Sequence, residues 1–583
     1  MRRSLIAITT AAALLATSVA ATAAPPTLDR SGVRPPGPVQ IELSVLGTYE
    51  TGVFDQSAAE IVAHDPATQR LFVANAQSGL VDVLDISDTT NPTKLFELDP
   101  AGAATPEGDA IPAEGSGINS IAVRDGVVAA AVEAPKKTDD GWVAFFDVDG
   151  EVLKALRVGA LPDMVTFTPN GRTLLVANEG EPNDDYTIDP PGTVSVIDVS
   201  GPIAELDQMS VRTADFTAWD PDGPRTLHPD VRVFGPEEAP LPSQNLEPEY
   251  IVADADNRTA YVVLQEANAI AVLNIEAATF TDVWPFGFKD HLLPGNELDV
   301  SDRDGQILIE NWPVFGMYQP DGFDAYRWRG QTLLVTANEG DSRDWDGYSE
   351  ESRFRSATSN DDEVCAGSPI DRFLDDNPFG IVTVEQLRSN TQGDIAMGRL
   401  TVTTTLGRGE DGRSAEGCLH SAFAFGARSF SIWTTDGTQV YDSGSEFERI
   451  TAEAFPENFN SNHRANSFET RSDDKGPEPE GVTIGRVAGR TYAFIGFERI
   501  GGVIVYDISD PRAPFFVQYL NNRDFTAQPG TSEAGDLGAE GLIFIEAGDS
   551  PTRRPMLAVA NEVSGTTTLF DITTTNPGRG RGR

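Results

Sequence analysis

LPDMVTFTPNGRTLLVANEGEPNDDYTIDPPGTVSVIDVS, residues 161–200, decides the fold. It reads as a unit of four short β-runs with turns between them. Residues 164–168 alternate, Pro169-Asn170-Gly171 is a turn signal, and residues 173–177 and 192–200 carry further runs. An acid stands where the first run begins, Asp163, and another where the second ends, Glu179.

The same layout recurs along the chain. Six more repeats start near Ala59, Ile118, Glu247, Pro320, Pro477 and Gly538, which makes seven. The fifth is interrupted after its Asn-Glu-Gly and resumes at Ala427. The spacing is regular: Asn75 precedes Asp85, Phe497 precedes Asp507, and Asn561 precedes Asp571, each by ten residues. Four short strands per repeat is the pattern of a propeller blade. The sequence therefore predicts an all-β chain, a seven-bladed β-propeller with long inter-strand insertions at 205–245, 281–319, 346–418 and 452–476. Even spacing argues against two stacked β-domains.

Around this single domain, residues 41–573, the ends are simple. Residues 1–23 read as a signal peptide, with Arg2-Arg3, an apolar centre and Ala21-Thr22-Ala23. The Sec and twin-Arg routes both remain open for it. Residues 24–40 are a Pro-rich lead-in, and residues 574–583 a flexible basic tail without a hydrophobic anchor. Export predicts a secreted protein. It also favours a disulfide between Cys365 and Cys418, worth about 4 kcal/mol in loop entropy; two reduced thiols are the alternative. The net charge is −47, and losing Arg2 and Arg3 with the signal takes it to −49. Such a surface repels nucleic acid and anionic lipid and attracts divalent cations.

Aligning the repeats gives two circles of acids. At the ends of the second strands stand Glu133, Glu179, Glu266, Glu339, Glu498 and Glu562, with Ala76 in the first repeat. At the starts of the first strands stand Glu60, Asp163, Glu249, Asp321, Glu480 and Glu540, with Asn119 in the second repeat. In a propeller both circles lie at one mouth of the central channel. Carboxylates about 8 Å apart repel by about 2 kcal/mol at an effective dielectric near 20. They need bound cations, basic neighbours or raised pKa values. Oxygen ligands with only five histidines in the chain point to Ca²⁺ first, with Mg²⁺ or Mn²⁺ as alternatives. A purely architectural role, in which the acids accept bonds from neighbouring amides, stands beside this reading.

Basic groups accompany the ring: Arg343 after the fifth repeat, and His463, Arg464, Arg471 and Lys475 just before Glu480. They are candidates for gripping a phosphate ester beside a metal, or simple counter-charges. Asp299, Asp302 and Asp304 before Gly305 look like part of a calcium loop, although the EF-hand spacing fails; Asp220, Asp222 and Gly223 read as a turn. No nucleophile elbow, phosphate-cradling glycine loop, HExxH or dinucleotide fingerprint is present.

Five stretches carry a family resemblance: the opening LPDMVTFTPNGRTLLVANEGEP, TANEGDSRDWDGYSEESR, FGARSFSIW, NSNHRANSFETRSDDKGPEPEGV and the closing VANE. They resemble the choice-of-anchor I family of exported bacterial proteins over roughly residues 42–573. That family is similar to mesenchyme-specific cell-surface glycoproteins and to an atypical cyanobacterial alkaline phosphatase. The resemblance implies a secreted or surface propeller with calcium handling and extracellular or cell-surface partners. It also raises phosphomonoesterase activity. The chain departs from the family at its C-terminus, which shows neither a sortase-type motif nor a terminal hydrophobic helix and so favours free secretion. Two functions follow as expectations. One is an extracellular metal-binding or interaction protein. The other is a metal-dependent phosphoesterase in which Glu179, Glu339, Glu480 and Glu540 hold metals and Arg343, Arg464, Arg471 or Lys475 grips phosphate.

Overall fold

The structure, a computed structural model, describes residues 40–575 except 238 and 390–394. The signal peptide, nearly all of the lead-in and the last eight residues of the tail lie outside the described residues.

The architecture is nearly all-β. Among the described residues there are seven four-stranded sheets, each adjacent pair within the first six antiparallel. Residues 161–200 supply three strands of the third sheet, Pro162–Phe167, Thr173–Asn178 and Thr193–Asp198, not four; the fourth, Val211–Asp215, lies beyond them. The apolar run of Thr173–Asn178 is explained by period two with both faces covered. Leu174 and Val176 pack toward the second sheet, Leu175 and Ala177 toward the fourth.

The core is distributed between sheets rather than gathered at a centre. One buried apolar cluster fills each gap from the first sheet to the seventh, and another joins the seventh back to the first through Leu71, Val73, Ala558 and Leu569. The first strands of successive sheets lie side by side, and Val62–Asp65 of the first sheet lies beside Ala539–Ile545 of the seventh. The seventh sheet takes its fourth strand, Gln40–Glu50, from the start of the described chain.

Two boundaries differ from the sequence reading. Val211–Asp215 and Thr279–Pro285 are the outer strands of the third and fourth sheets, although most of both falls in segments read as insertions. Outer strands bury one face only, so Val211–Asp215, in which Ala214 alone is buried, lacks the unbroken apolar run of the inner strands. Within the insertions a separate core gathers Trp312, Phe354, Ile370, Phe373, Leu387 and Leu400. A disulfide joins Cys365 to Cys418 beside it. No helix of the described residues is long and apolar enough to cross a membrane.

Three ring acids are each followed by a glycine that the next sheet presses upon. A Cβ on Gly481 would sit 2.1 Å from the Glu540 carbonyl oxygen, one on Gly541 2.4 Å from that of Glu60, and one on Gly322 2.8 Å from that of Glu480. The close approach is backbone to backbone, so no side chain can yield. Gly481→Ala is therefore expected to cost about 1–3 kcal/mol, read as a lower urea midpoint with an unchanged slope.

Candidate metal centre

Both circles of acids converge. A cavity of about 350 Å³ is lined by Glu60, Asp163, Asp321, Glu480 and Glu540 from first-strand starts, with Glu133 and Glu179 from second-strand ends and Asn119 in the odd position. The register explains this: the strands pair antiparallel, so the first starts where the second ends, as in Pro162 opposite Asn178. The remaining acids close in from the rim. Ligand oxygens of Glu179, Glu249 and Glu266 lie within 4.8 Å of one another, and so do those of Asp321, Glu480 and Glu540, and of Glu339, Glu480 and Glu498. His463, Glu498 and Glu562 form a fourth such group.

The circle is electrostatically lopsided. On one side the chain supplies its own cations. Lys475 Nζ donates to Glu339 Oε1 at 2.5 Å and sits 3.3 Å from Glu478 Oε2. Arg471 and Arg499 also converge on Glu478, at 2.6 and 2.9 Å. Burial alone would raise the Glu478 pKa, but these three cations outweigh it and hold the carboxyl well below the usual range. Arg499 Nη1 lies 2.8 Å from Glu498, and His463 3.2 Å from it.

On the other side the cations stop short of the ring acids: Lys137 pairs with Glu181 at 2.9 Å and Arg343 with Glu247. Among the described residues no Lys, Arg or His comes within 4 Å of the carboxylates of Glu60, Asp163, Glu179, Glu249 or Glu266. Burial, then the like charge of Glu562, pushes Glu60 up to about 8. Burial, then Asp321, pushes Asp163 to about 7, and burial, then Asp341, pushes Glu266 to about 7. Burial and neighbouring acids hold Glu179 and Glu249 well above the ordinary carboxylate value. Glu249 Oε2, Glu266 Oε2 and Glu480 Oε2 are buried oxygens without a hydrogen-bond partner.

The five candidate cations scatter. Lys475 and His463 reach the ring acids Glu339 and Glu498, while Arg471 stops at Glu478 beside them. Arg343 turns away into the insertions, where it donates to Phe234 O at 2.9 Å, to Asn245 and to Glu247. Arg464, its side chain 63% exposed, pairs with Asp55 at 2.6 Å. Residues outside the sequence reading also belong to the site: Glu181 lines the cavity, Glu478 anchors the cations, and Arg499 completes them. A signal for part of this was visible, since Glu247-Pro248-Glu249 and Glu478-Pro479-Glu480 place a second acid two positions before the ring acid.

A sequence profile of the choice-of-anchor I domain matches residues 60–511. Gigasin-3a of Magallana gigas is 28% identical over 193 residues, 31% of this chain and 66% of that protein. The mesenchyme-specific cell surface glycoprotein of Strongylocentrotus purpuratus is 30% identical over 290 residues, 46% of this chain and 35% of that protein. The chain thus spans less than two thirds of either relative. Among solved structures, streptogramin B lyase is similar with a TM-score of 0.42 at 8% identity, covering 92% of this chain and 98% of that one. A hydrazine synthase of Kuenenia stuttgartiensis gives 0.39 at 11%, covering 91% and 99%. Scores this low carry no argument about this chain.

Proposed function

The chain belongs to the choice-of-anchor I family, and on that premise we propose that it is an exported, seven-bladed β-propeller whose acidic mouth binds divalent cations, Ca²⁺ foremost. Seven four-stranded sheets with an apolar cluster in every gap support the blade count. A cell-surface glycoprotein among its relatives supports the location.

One observation carries the metal reading. Glu179, Glu249 and Glu266 crowd within 4.8 Å, and two of them keep buried, unpartnered oxygens beyond reach of a basic side chain. Carboxylates at that separation repel by about 3 kcal/mol at an effective dielectric near 20. The opposite side solves the same problem with Lys475, Arg471 and Arg499; here a divalent ion is the counter-charge that fits. A purely oxygen donor set suits Ca²⁺, which takes six to eight oxygens, over metals that favour sulfur or nitrogen. Glu179, Glu249 and Glu266 would hold one ion, and Asp321, Glu480 and Glu540 would form the second group. The bound ion supplies positive charge that ties neighbouring blades together and leaves open coordination for an acidic extracellular partner.

The phosphoesterase reading gains no such support. Arg343, Arg464, Arg471 and Lys475 are each engaged by carboxylates of the chain itself.

Calorimetric titration of chelator-treated protein tests the proposal. Wild type should bind Ca²⁺, and Glu249→Gln/Glu266→Gln should lose at least about tenfold in affinity at one site, about 1.4 kcal/mol. Identical isotherms would remove Glu249 and Glu266 from any metal site. Hydrolysis of a chromogenic phosphomonoester in the same samples, appearing only with a restored ion, would instead establish the enzyme.

A further inference from the structure

The aspartates of the calcium-like loop are taken up by the chain itself: Asp299 by the amides of Ser301 and Leu308, Asp302 by Arg399 and Arg303, and Asp304 by the amide of Gln306 and the carboxyl of Glu469. The stretch DSRDWDGYSEES, residues 341–352, is different. Asp344–Trp345 and Tyr348–Ser349 pair as a small hairpin. Its seat is rigid. Gly347 N–H at the tip donates to Asp184 O at 2.8 Å, a Cβ on Gly347 would meet Asp185 O at 2.3 Å, and the rings of Tyr348 and Tyr186 meet edge to face at 5.7 Å.

The hairpin walls a second cavity of about 330 Å³, at the small end of the range for small-molecule pockets. Six acids line it: Glu181, Glu247, Glu266, Asp341, Asp344 and Glu351. Among the described residues one basic side chain lines it, Arg343, and both its Nη atoms are committed to Phe234 O, Asn245 and Glu247. Two of the acids lie almost wholly inside the protein and are still incomplete. Glu247 is 3% exposed and Glu266 7%, yet Glu247 Oε1 and Glu266 Oε2 have no hydrogen-bond partner. Among the described residues no Lys, Arg or His comes within 4 Å of the carboxylates of Glu266, Asp344 or Glu351.

The form of the cavity selects the kind of cation. Among the described residues no three of its acids bring ligand oxygens within 4.8 Å of one another, so they do not converge on one metal ion as the mouth groups do. They stand around a volume far larger than a bare ion, and Trp345 supplies an aromatic wall. The chain itself shows how that wall is used. Lys137 Nζ lies 3.7 Å from the centroid of the Trp345 ring and 2.9 Å from Glu181 Oε2. An indole beside carboxylates is the combination that recognises organic ammonium groups.

We propose that this cavity binds an aliphatic primary ammonium group from outside the chain, its charge among the acids and its methylene stem along Trp345. A free diamine and the lysine side chain of a partner protein share that chemistry. Glu247, Asp341, Asp344 and Glu351 belong to no mouth group, so the site stands whether or not the mouth binds metal.

The test is calorimetric titration of the chain in chelator, with cadaverine as one probe and an acetylated trilysine amide as the other. At least one probe should saturate at one equivalent. Saturation by cadaverine assigns the site to free amines, and saturation by the peptide alone assigns it to a lysine of a partner. Asp344→Asn/Glu351→Gln removes two exposed charges from the lining and should weaken binding about tenfold. Trp345→Ala should weaken it about fivefold through lost contact with the stem. Asp375→Asn/Asp376→Asn removes the same charge from the exposed end of the helix Pro369–Asp376 and should leave the affinity unchanged, which separates the site from the general attraction of an acidic chain for amines. Failure of both probes to saturate would overturn the proposal. So would an Asp344→Asn/Glu351→Gln protein that binds as tightly as the Asp375→Asn/Asp376→Asn control.

Discussion

Replacing Lys475 with methionine lowers the stability of chelator-treated protein by about 3–5 kcal/mol, and Ca²⁺ restores part of the loss. Lys475 is the cation that opposes the burial of Glu339 and Glu478, at 2.5 and 3.3 Å; it helps hold Glu478 charged, while burial still keeps the Glu339 carboxyl well above its ordinary value. Methionine keeps the apolar stem and removes the charge. Glu478 retains Arg471 and Arg499, but Glu339 keeps only the amide of Gln265, at 3.0 Å. A buried carboxylate that loses its partner carries the full cost of desolvation. Its oxygens also lie within 4.8 Å of those of Glu480 and Glu498, so the variant creates on this side the condition already present around Glu249. Scanning calorimetry of both proteins, with chelator and with Ca²⁺, reads the effect. A methionine variant as stable as wild type in chelator would show that the lysine does not balance the ring. One destabilised but indifferent to Ca²⁺ would show that a divalent ion cannot replace it.

The second large effect is on pH. Without divalent ions, stability falls as pH rises from about 4.5, the ordinary value for a glutamate, to about 8, the value of Glu60 in the folded chain. The sign follows from proton counts. Asp163, Glu266 and Glu562, all near 7, and Glu60 keep their protons in the folded state where the unfolded chain has released them. The folded state therefore binds more protons across that window, and each extra proton costs about 1.4 kcal/mol of stability per pH unit climbed. Below the window Glu478 acts in the opposite sense, since its depressed pKa makes acidification destabilising. Stability in chelator should peak in mildly acidic solution. Ca²⁺ should flatten the neutral limb, because an ion does at pH 8 what protons do at pH 5. Urea midpoints across the window, with and without Ca²⁺, measure it; a curve that Ca²⁺ leaves unchanged would disprove an ion at the ring.

The repeats were legible because inner strands are covered on both faces, which writes runs such as Leu174–Ala177 into the sequence. The acids were legible because they occupy fixed positions relative to those runs. What stayed hidden depended on contacts between distant segments. Val211–Asp215 lacks the inner-strand pattern, and Gln40–Glu50 belongs to a sheet whose other strands begin about 500 residues later. Arg499 directly follows a ring acid, yet nothing in adjacent positions reveals that its guanidinium turns back onto Glu478. Arg343 and Lys475 look alike in sequence, each a cation near the motif; only the packing of the insertions sends one to Glu247 and the other into the ring.

The borrowed strand of the seventh sheet sets a clock on maturation. Thr48 and Thr568 share a hydrogen bond of 2.9 Å across 520 positions, so the first strand made waits for the last. The earlier sheets can be assembled while synthesis continues, but the seventh cannot lock until residues 566–575 arrive. Contacts so far apart in sequence form slowly. A chain arrested before that point leaves Gln40–Glu50 as an unpaired edge, which proteases and other open edges will find first. Pairing of Gln40–Glu50 thus reports that Thr566–Thr575 has arrived.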